Sequence, residues 1–149
     1  MNSLDKLCDV IVENDFKIIF GISGSGISYK LISKLLSKGL RYYNVSNESA
    51  AAIACGTYNF FNIKNSNRAL CISIKGPGFT NLLSGMSACF YEKYDCYSIS
   101  EDFNDDVAKL KFHKKIDQLS LVSPISIDTC SLNIQSDFTS FFKKDKKLN

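Results

Sequence analysis

Short apolar runs ending at glycine or polar turns, set between stretches of helical periodicity, constrain this chain most. Residues 16–21 read Phe-Lys-Ile-Ile-Phe-Gly, and comparable runs cover 40–45, 69–74 and 96–100. Such runs are too short for helices and suit buried strands. Between them the apolar residues recur at three and four. Leu4, Leu7, Cys8, Val10 and Ile11 lie close to helical spacing, and Leu31, Ile32, Leu35 and Leu36 share one face of a helix over 29–38 that stops at Gly39. Asn47 is placed to cap a helix starting at Glu48. A further helix over 79–91 turns Leu82, Leu83, Met86 and Phe90 inward. A mostly polar helix over 109–121 and a short strand over 123–127 complete the reading. Strands separated by helices predict a three-layer α/β/α fold with a mainly parallel sheet. In such sheets ligands gather beyond the carboxyl ends of the strands. The turns Gly21-Ile22-Ser23, Ser46-Asn47-Glu48, Gly76-Pro77-Gly78 and Glu101-Asp102-Phe103 all follow strand ends and are expected on one edge.

A chain of 149 residues buries roughly two thirds of its unfolded surface, enough for one core. One domain over 1–130 is expected, followed by a polar, basic tail over 131–149. The net charge is only +3, and much of it comes from Lys143, Lys144, Lys146 and Lys147. That cluster reads as a solvated terminus, and no basic stripe interleaved with aromatics points to nucleic acid. The first fifteen residues carry acids and no long apolar run, so no signal peptide is expected. No stretch of about twenty apolar residues predicts a membrane span. The six cysteines contain no C-x-x-C pair and His113 is the only histidine, so clustered soft ligands for zinc are not expected. Cys55, Cys71 and Cys89 sit among apolar neighbours and read as small core residues. A reducing cytoplasm follows as the default.

Two glycine patterns invite nucleotide readings, and both fall short. Gly21 and Gly26 have phosphate-loop spacing, but Ile27-Ser28 replaces the Lys-Ser/Thr that would hold phosphate and metal. Gly24 and Gly26 begin a dinucleotide fingerprint, but Tyr29 stands where a third small residue lets the helix approach the strand. A turn after a strand accounts for these glycines better.

A different family accounts for several separated motifs together. FGISGSG at 20–26 resembles a strand-loop F-G-x-P-G, with Ser23 in place of proline. NESAAAIACGTY at 47–58 resembles H-E-x-x-A-x-x-A-x-G-Y-A. KGPGFTN at 75–81 resembles S-G-P-G-x-T-N, and FHKKIDQLSLVSPIS at 112–126 resembles F-Q-x-x-D-Q-x-x-L-x-x-P-I-T. Together these resemble the pyrimidine-binding domain of thiamine diphosphate enzymes, the group of acetolactate synthase, pyruvate decarboxylase and sulfopyruvate decarboxylase. The resemblance runs from about Leu4 to Ile127.

The resemblance implies a thiamine diphosphate-binding fold and gives Glu48 the catalytic role. In the family a carboxyl group at the pyrimidine N1′ lets the cofactor's own 4′-nitrogen take a proton from the thiazolium C2. Glu48, followed by Ser49-Ala50-Ala51-Ala52, would sit where small side chains let the ring approach closely. Read from local sequence alone, the same glutamate merely favours the helix dipole at a helix start. The resemblance further implies cofactor contacts from Gly24, Ser25, Gly76, Pro77, Gly78 and Asn81, and no metal ligands on this chain. For Thr80 and Asn81, helix capping is the plainer reading. Lys75 meets either an anionic substrate group or solvent. His113 reads as a surface residue, and Asp102, Asp105 and Asp106 read as a solvated loop rather than a metal site.

In the family the diphosphate and its magnesium are held by a separate domain carrying G-D-G, and no G-D-G occurs here. The implied site is therefore shared, with Mg²⁺ on a diphosphate-binding subunit or domain, a small 2-oxo acid as substrate, and an oligomer as the working form. The chain is either a pyrimidine-binding subunit of a two-chain enzyme or the N-terminal piece of a longer one. The segment FHKKIDQ…PIS favours the acetolactate-synthase-like branch. Asn47, Asn59-Phe60 and Cys96 depart from the family pattern. The alternative is a non-catalytic α/β binding or assembly module that kept the fold.

Overall fold

Residues 3–24, 26–65, 67–103 and 113–132 are described by the structure, a computed structural model. Helix α1 (Ser3–Glu13) leads into strand β1 (Phe16–Gly21), helix α2 (Ile27–Ser37) and strand β2 (Arg41–Asn44). Helix α3 (Glu48–Phe61), strand β3 (Arg68–Ser73), helix α4 (Pro77–Glu92) and strand β4 (Tyr97–Ser100) follow. A short helix α5 (Gln118–Val122) runs into a 3-10 turn, Ser123–Ile125. The four strands form one parallel sheet in the order β2-β1-β3-β4.

Side-chain alternation along the central strands creates two cores. Phe16, Ile19, Leu70 and Ile72 point to one face, under α1 and α2. Ile18, Ala69 and Cys71 point to the other, under α3 and α4. Phe16 and Ile18 are two apart, yet lie on opposite faces. A register shift between them explains it, because one extra residue in a strand reverses the parity of what precedes it. Phe16 packs edge-on against Tyr97 at 5.1 Å. The three-layer α/β/α expectation holds.

Helices α3 and α4 lie unusually close, because their facing positions carry almost no side chain. A Cβ on Gly85 would run into the Ser49 carbonyl, and one on Gly56 would lie 2.5 Å from the Cys89 Sγ. Ala51, Ala52 and Cys55 fill the gap to the sheet. Below them Asn59 ties three segments together. Its Nδ2 donates to the Ala69 carbonyl at 3.0 Å and the Asp95 carbonyl at 2.7 Å, while its Oδ1 accepts from the Ala69 N–H at 2.7 Å.

Several expectations need correction. Helix α4 begins at Pro77, two residues early, since proline at the first helical position brings a fitting φ and gives up an N–H that would have no helical partner. Phe90 and Leu36 are exposed at 42% and 45%. The buried face of α4 runs through Phe79, Leu82, Gly85, Met86 and Cys89, which leaves Phe90 outside. Of the helix expected over 109–121, residues 109–112 lie outside the described residues, 113–117 are turn and irregular chain, and only α5 is helical. Asp117 caps it by accepting from the Ser120 N–H at 3.0 Å. The strand expected over 123–127 is a 3-10 turn instead. Pro124 has no N–H to give to a ladder, and Val122 and Ile125 spend their apolar surface on the α3/α4 core. The tail from residue 133 lies outside the described residues. Among the described residues no helix is long and apolar enough to cross a membrane.

Asn59→Ala is expected to destabilise the chain by about 2–4 kcal/mol, because it strands the buried Ala69 N–H and removes the amide bonds to the Ala69 and Asp95 carbonyls. Urea unfolding followed by circular dichroism measures this; a loss below about 0.5 kcal/mol would show that water replaces the amide freely.

Candidate cofactor-binding site

The carboxyl ends of the strands deliver the sequence's turns to one edge. Glu48 opens α3 directly after β2, with Asn47 as the cap: its side chain accepts from the Ala50 N–H at 2.8 Å. The Glu48 side chain points inward, and the residue is only 8% exposed. Its Oε2 accepts from the Asn81 Nδ2 at 3.1 Å. Its Oε1 faces Gly78, where an added Cβ would stand 3.2 Å away. A side chain at 78 would therefore crowd one carboxylate oxygen, while Asn81 holds the other.

Gly76, Pro77 and Gly78 form the turn from β3 into α4. Gly76 has φ +68°, a left-handed conformation that favours glycine, and a Cβ there would lie 2.6 Å from the Lys114 Cβ. Thr80 and Asn81 do not cap α4. The cap position is Gly76, the Thr80 hydroxyl donates to the Pro77 carbonyl at 3.0 Å, and Asn81 reaches across to Glu48. Ser49 adds a second tie, its hydroxyl donating to the Asn81 carbonyl at 2.5 Å. Gly24 lies on the same edge against the Ile74 side chain, which also touches Gly78. Ile74 thus joins the loop after β1 to the turn after β3. Its role carried no sequence signal beyond an apolar strand end. Ser25 lies outside the described residues.

A second buried carboxylate stands nearby on the loop after β4. Glu101 accepts from the Ser28 N–H at 2.7 Å and pairs with Lys75 at 3.3 Å. Its backbone carbonyl accepts from the Gln118 Nε2 at 2.8 Å. Burial pushes its pKa up, but the Ser28 N–H and the Lys75 ammonium outweigh that and hold it below the ordinary carboxylate range. Lys75 also lies over the Phe103 ring at 4.7 Å, so it is neither a solvated lysine nor an open anion hook. Glu101 occupies the start of α2, where a phosphate loop would place its phosphate, which agrees with the missing lysine of that motif. The buried Ser28 hydroxyl beside it has no hydrogen-bond partner among the described residues.

His113 is exposed, as is Asp102, which accepts from the Phe103 N–H at 2.7 Å. Asp105 and Asp106 lie outside the described residues. Cys55, Cys71 and Cys89 are buried as expected. The expectation that no soft ligands cluster is wrong: the Sγ atoms of Cys55, Cys71 and Cys96 all lie within 4.8 Å of one another. Spacing along the chain could not show this, because the three come from α3, β3 and the segment before β4.

A parallel sheet with helices on both faces, a buried carboxylate at a helix start, and a glycine turn against it describe a cofactor-binding α/β domain. The family model described as "Thiamine pyrophosphate enzyme, N-terminal TPP binding domain" matches residues 1–121, and the chain belongs to that family. A comparison with curated proteins finds no match.

Because Glu101 has a lowered pKa in the folded chain, its contribution to stability is present above the unfolded-state pKa near 4.3 and is lost as pH falls through the folded value. Glu101→Gln is therefore expected to flatten the stability profile below about pH 5. Parallel profiles for the two proteins, from urea melts at stepped pH, would remove Glu101 from the acid response.

Proposed function

We propose that this chain supplies the pyrimidine-binding half of a shared thiamine diphosphate site in an enzyme that decarboxylates or ligates a small 2-oxo acid. The single observation that carries this reading is the buried Glu48 carboxyl at the start of α3, with one oxygen held by Asn81 and the other facing the bare backbone of Gly78. When bound, thiamine diphosphate supplies a carbon nucleophile whose formation depends on a carboxyl group at the pyrimidine ring. Glu48 is the residue for that role, holding and exchanging a proton at the ring nitrogen through Oε1. Asn81 fixes the rotamer of the carboxyl group. Gly76, Pro77, Gly78 and Gly24 shape the slot, and the Ala-rich first turns of α3 keep it narrow; Ser25 belongs to the same loop by the family pattern.

The diphosphate and Mg²⁺ are assigned to another chain or domain, because this chain lacks the family's G-D-G. The working form is an oligomer in the cytoplasm, where the thiols stay reduced. Isolated chain is expected to bind the cofactor weakly and without magnesium dependence. Tight, magnesium-dependent binding by the isolated chain, measured by calorimetry, would refute the shared site.

With the complementary domain supplied, Glu48→Gln is expected to slow exchange of the cofactor C2 proton by about 10²–10⁴. The substitution is nearly isosteric at a helix start, so circular dichroism and subunit assembly should not change. Equal exchange rates would reduce Glu48 to a helix-start residue and leave a non-catalytic binding module as the reading.

A further inference from the structure

The α3/α4 face of the sheet contains a group of thiols that the cofactor site does not use. Cys55 comes from the middle of α3, Cys71 from β3, and Cys96 from the residue before β4. Cys55 follows Glu48 by seven residues on α3, so it lies about 10 Å farther along the helix. Cys71 and Cys96 have their sulfurs 3.9 Å apart, and all three sulfurs fall within 4.8 Å of one another. Cys89 adjoins them: its Sγ donates to the Ala52 carbonyl at 3.3 Å, the same carbonyl that Cys96 approaches at 3.7 Å.

We propose that Cys55, Cys71 and Cys96 form a buried site for one monovalent copper ion. The donor set is sulfur alone, with no histidine or carboxylate in the group, which selects a soft cation. A sulfur–metal bond of about 2.3 Å sets a sulfur–sulfur separation of about 4.0 Å in a trigonal plane and about 4.6 Å in a linear pair. The 3.9 Å between the Cys71 and Cys96 sulfurs is close to the trigonal value, and no pair of the three exceeds 4.8 Å, so small side-chain rotations complete the coordination. Zinc prefers four ligands in a tetrahedron, and the fourth thiol, Cys89, is turned to the Ala52 carbonyl and falls outside the group whose sulfurs all lie within 4.8 Å of one another, which leaves zinc one ligand short.

The surroundings suit such an ion. The thiols already occupy fixed positions, Cys55 reaching the Ala69 carbonyl at 3.3 Å and Cys71 the Tyr97 carbonyl at 3.4 Å. The Asn59 Nδ2 lies 3.6 Å from the Cys55 Sγ and shares with it a proton it also gives to the Ala69 carbonyl, which supports negative charge on that sulfur. Cys55 and Cys71 are fully buried, while Cys96 is only half-buried and provides the route in from solvent. Binding exchanges Cu⁺ for two thiol protons. The product is a complex of net charge −1 with two thiolates and one neutral thiol, and no electron is transferred. Affinity should therefore fall as the pH is lowered.

The test is an anaerobic titration of the full chain with Cu(I) against a competing chelator, read by stoichiometry and by X-ray absorption at the copper edge. One ion per chain is expected, with three sulfur neighbours and no others. Cys71→Ser and Cys96→Ala should each weaken binding at least about 100-fold, while Cys130→Ser at an exposed position changes nothing. Cys96→Ala is the safer variant for folding because its site is half-exposed. Should Cys71→Ser unfold, the coordination shell of the wild type still decides. Nitrogen or oxygen neighbours, undiminished binding in Cys96→Ala, or loss in Cys130→Ser would overturn the proposal. So would no binding above that of a Cys55→Ala/Cys71→Ala/Cys96→Ala chain that folds. Stronger retention of zinc in a four-sulfur shell would overturn the copper assignment.

Discussion

The close approach of α3 to α4 governs this molecule. At their contact Gly56 and Gly85 carry no side chain, and the Gly85 backbone lies against the Ser49 carbonyl. Only at that separation can Asn81, one turn into α4, reach the carboxyl of Glu48 at the start of α3. The same closeness sets Gly78 against the free carboxylate oxygen. A larger residue at 85 would push the two helix starts apart, and the site would be lost without any of its own residues changing. Packing and function are thus one constraint.

Two buried carboxylates sit on the edge beyond the strands, and their surroundings divide their tasks. Glu101 is satisfied within the fold, by the Ser28 N–H and the Lys75 ammonium. It serves as an internal cap for α2 and links the loops after β1, β3 and β4. Among the described residues, the Glu48 carboxyl accepts a hydrogen bond from Asn81 alone. Burying a carboxyl group with so few partners costs free energy, and such a group stands out as a place where a ligand supplies what the fold does not. The contrast between the two glutamates is what supports the proposed role of Glu48.

Much of the architecture was legible because parallel α/β patterning leaves a strong local signal. The runs at 16–21 and 69–74 are apolar on both faces, as central strands must be, and α1 and α2 keep helical spacing. The signal failed over the described residues 113–127, which add no strand to the sheet. There Val122 and Ile125 serve a core made by other elements, and Pro124 forbids the strand that their apolar character suggested. Phe90 misled for a related reason: periodicity shows that a helix has an apolar face, but the neighbour it meets decides which apolar residues are covered.

From residue order alone the chain specified the alternating elements, the turns that share an edge, and, by its motifs, the glutamate and the glycine turn of a cofactor family. These are local properties, set by backbone preference and by short-range pattern. Tertiary structure alone decided which groups meet: Asn81 with Glu48, Glu101 with Ser28 and Lys75, and Cys55 with Cys71 and Cys96. Each of these joins residues that are distant along the chain. Their meeting depends on strand order and on how closely two helices pack, and neither distance is written in any single stretch of sequence.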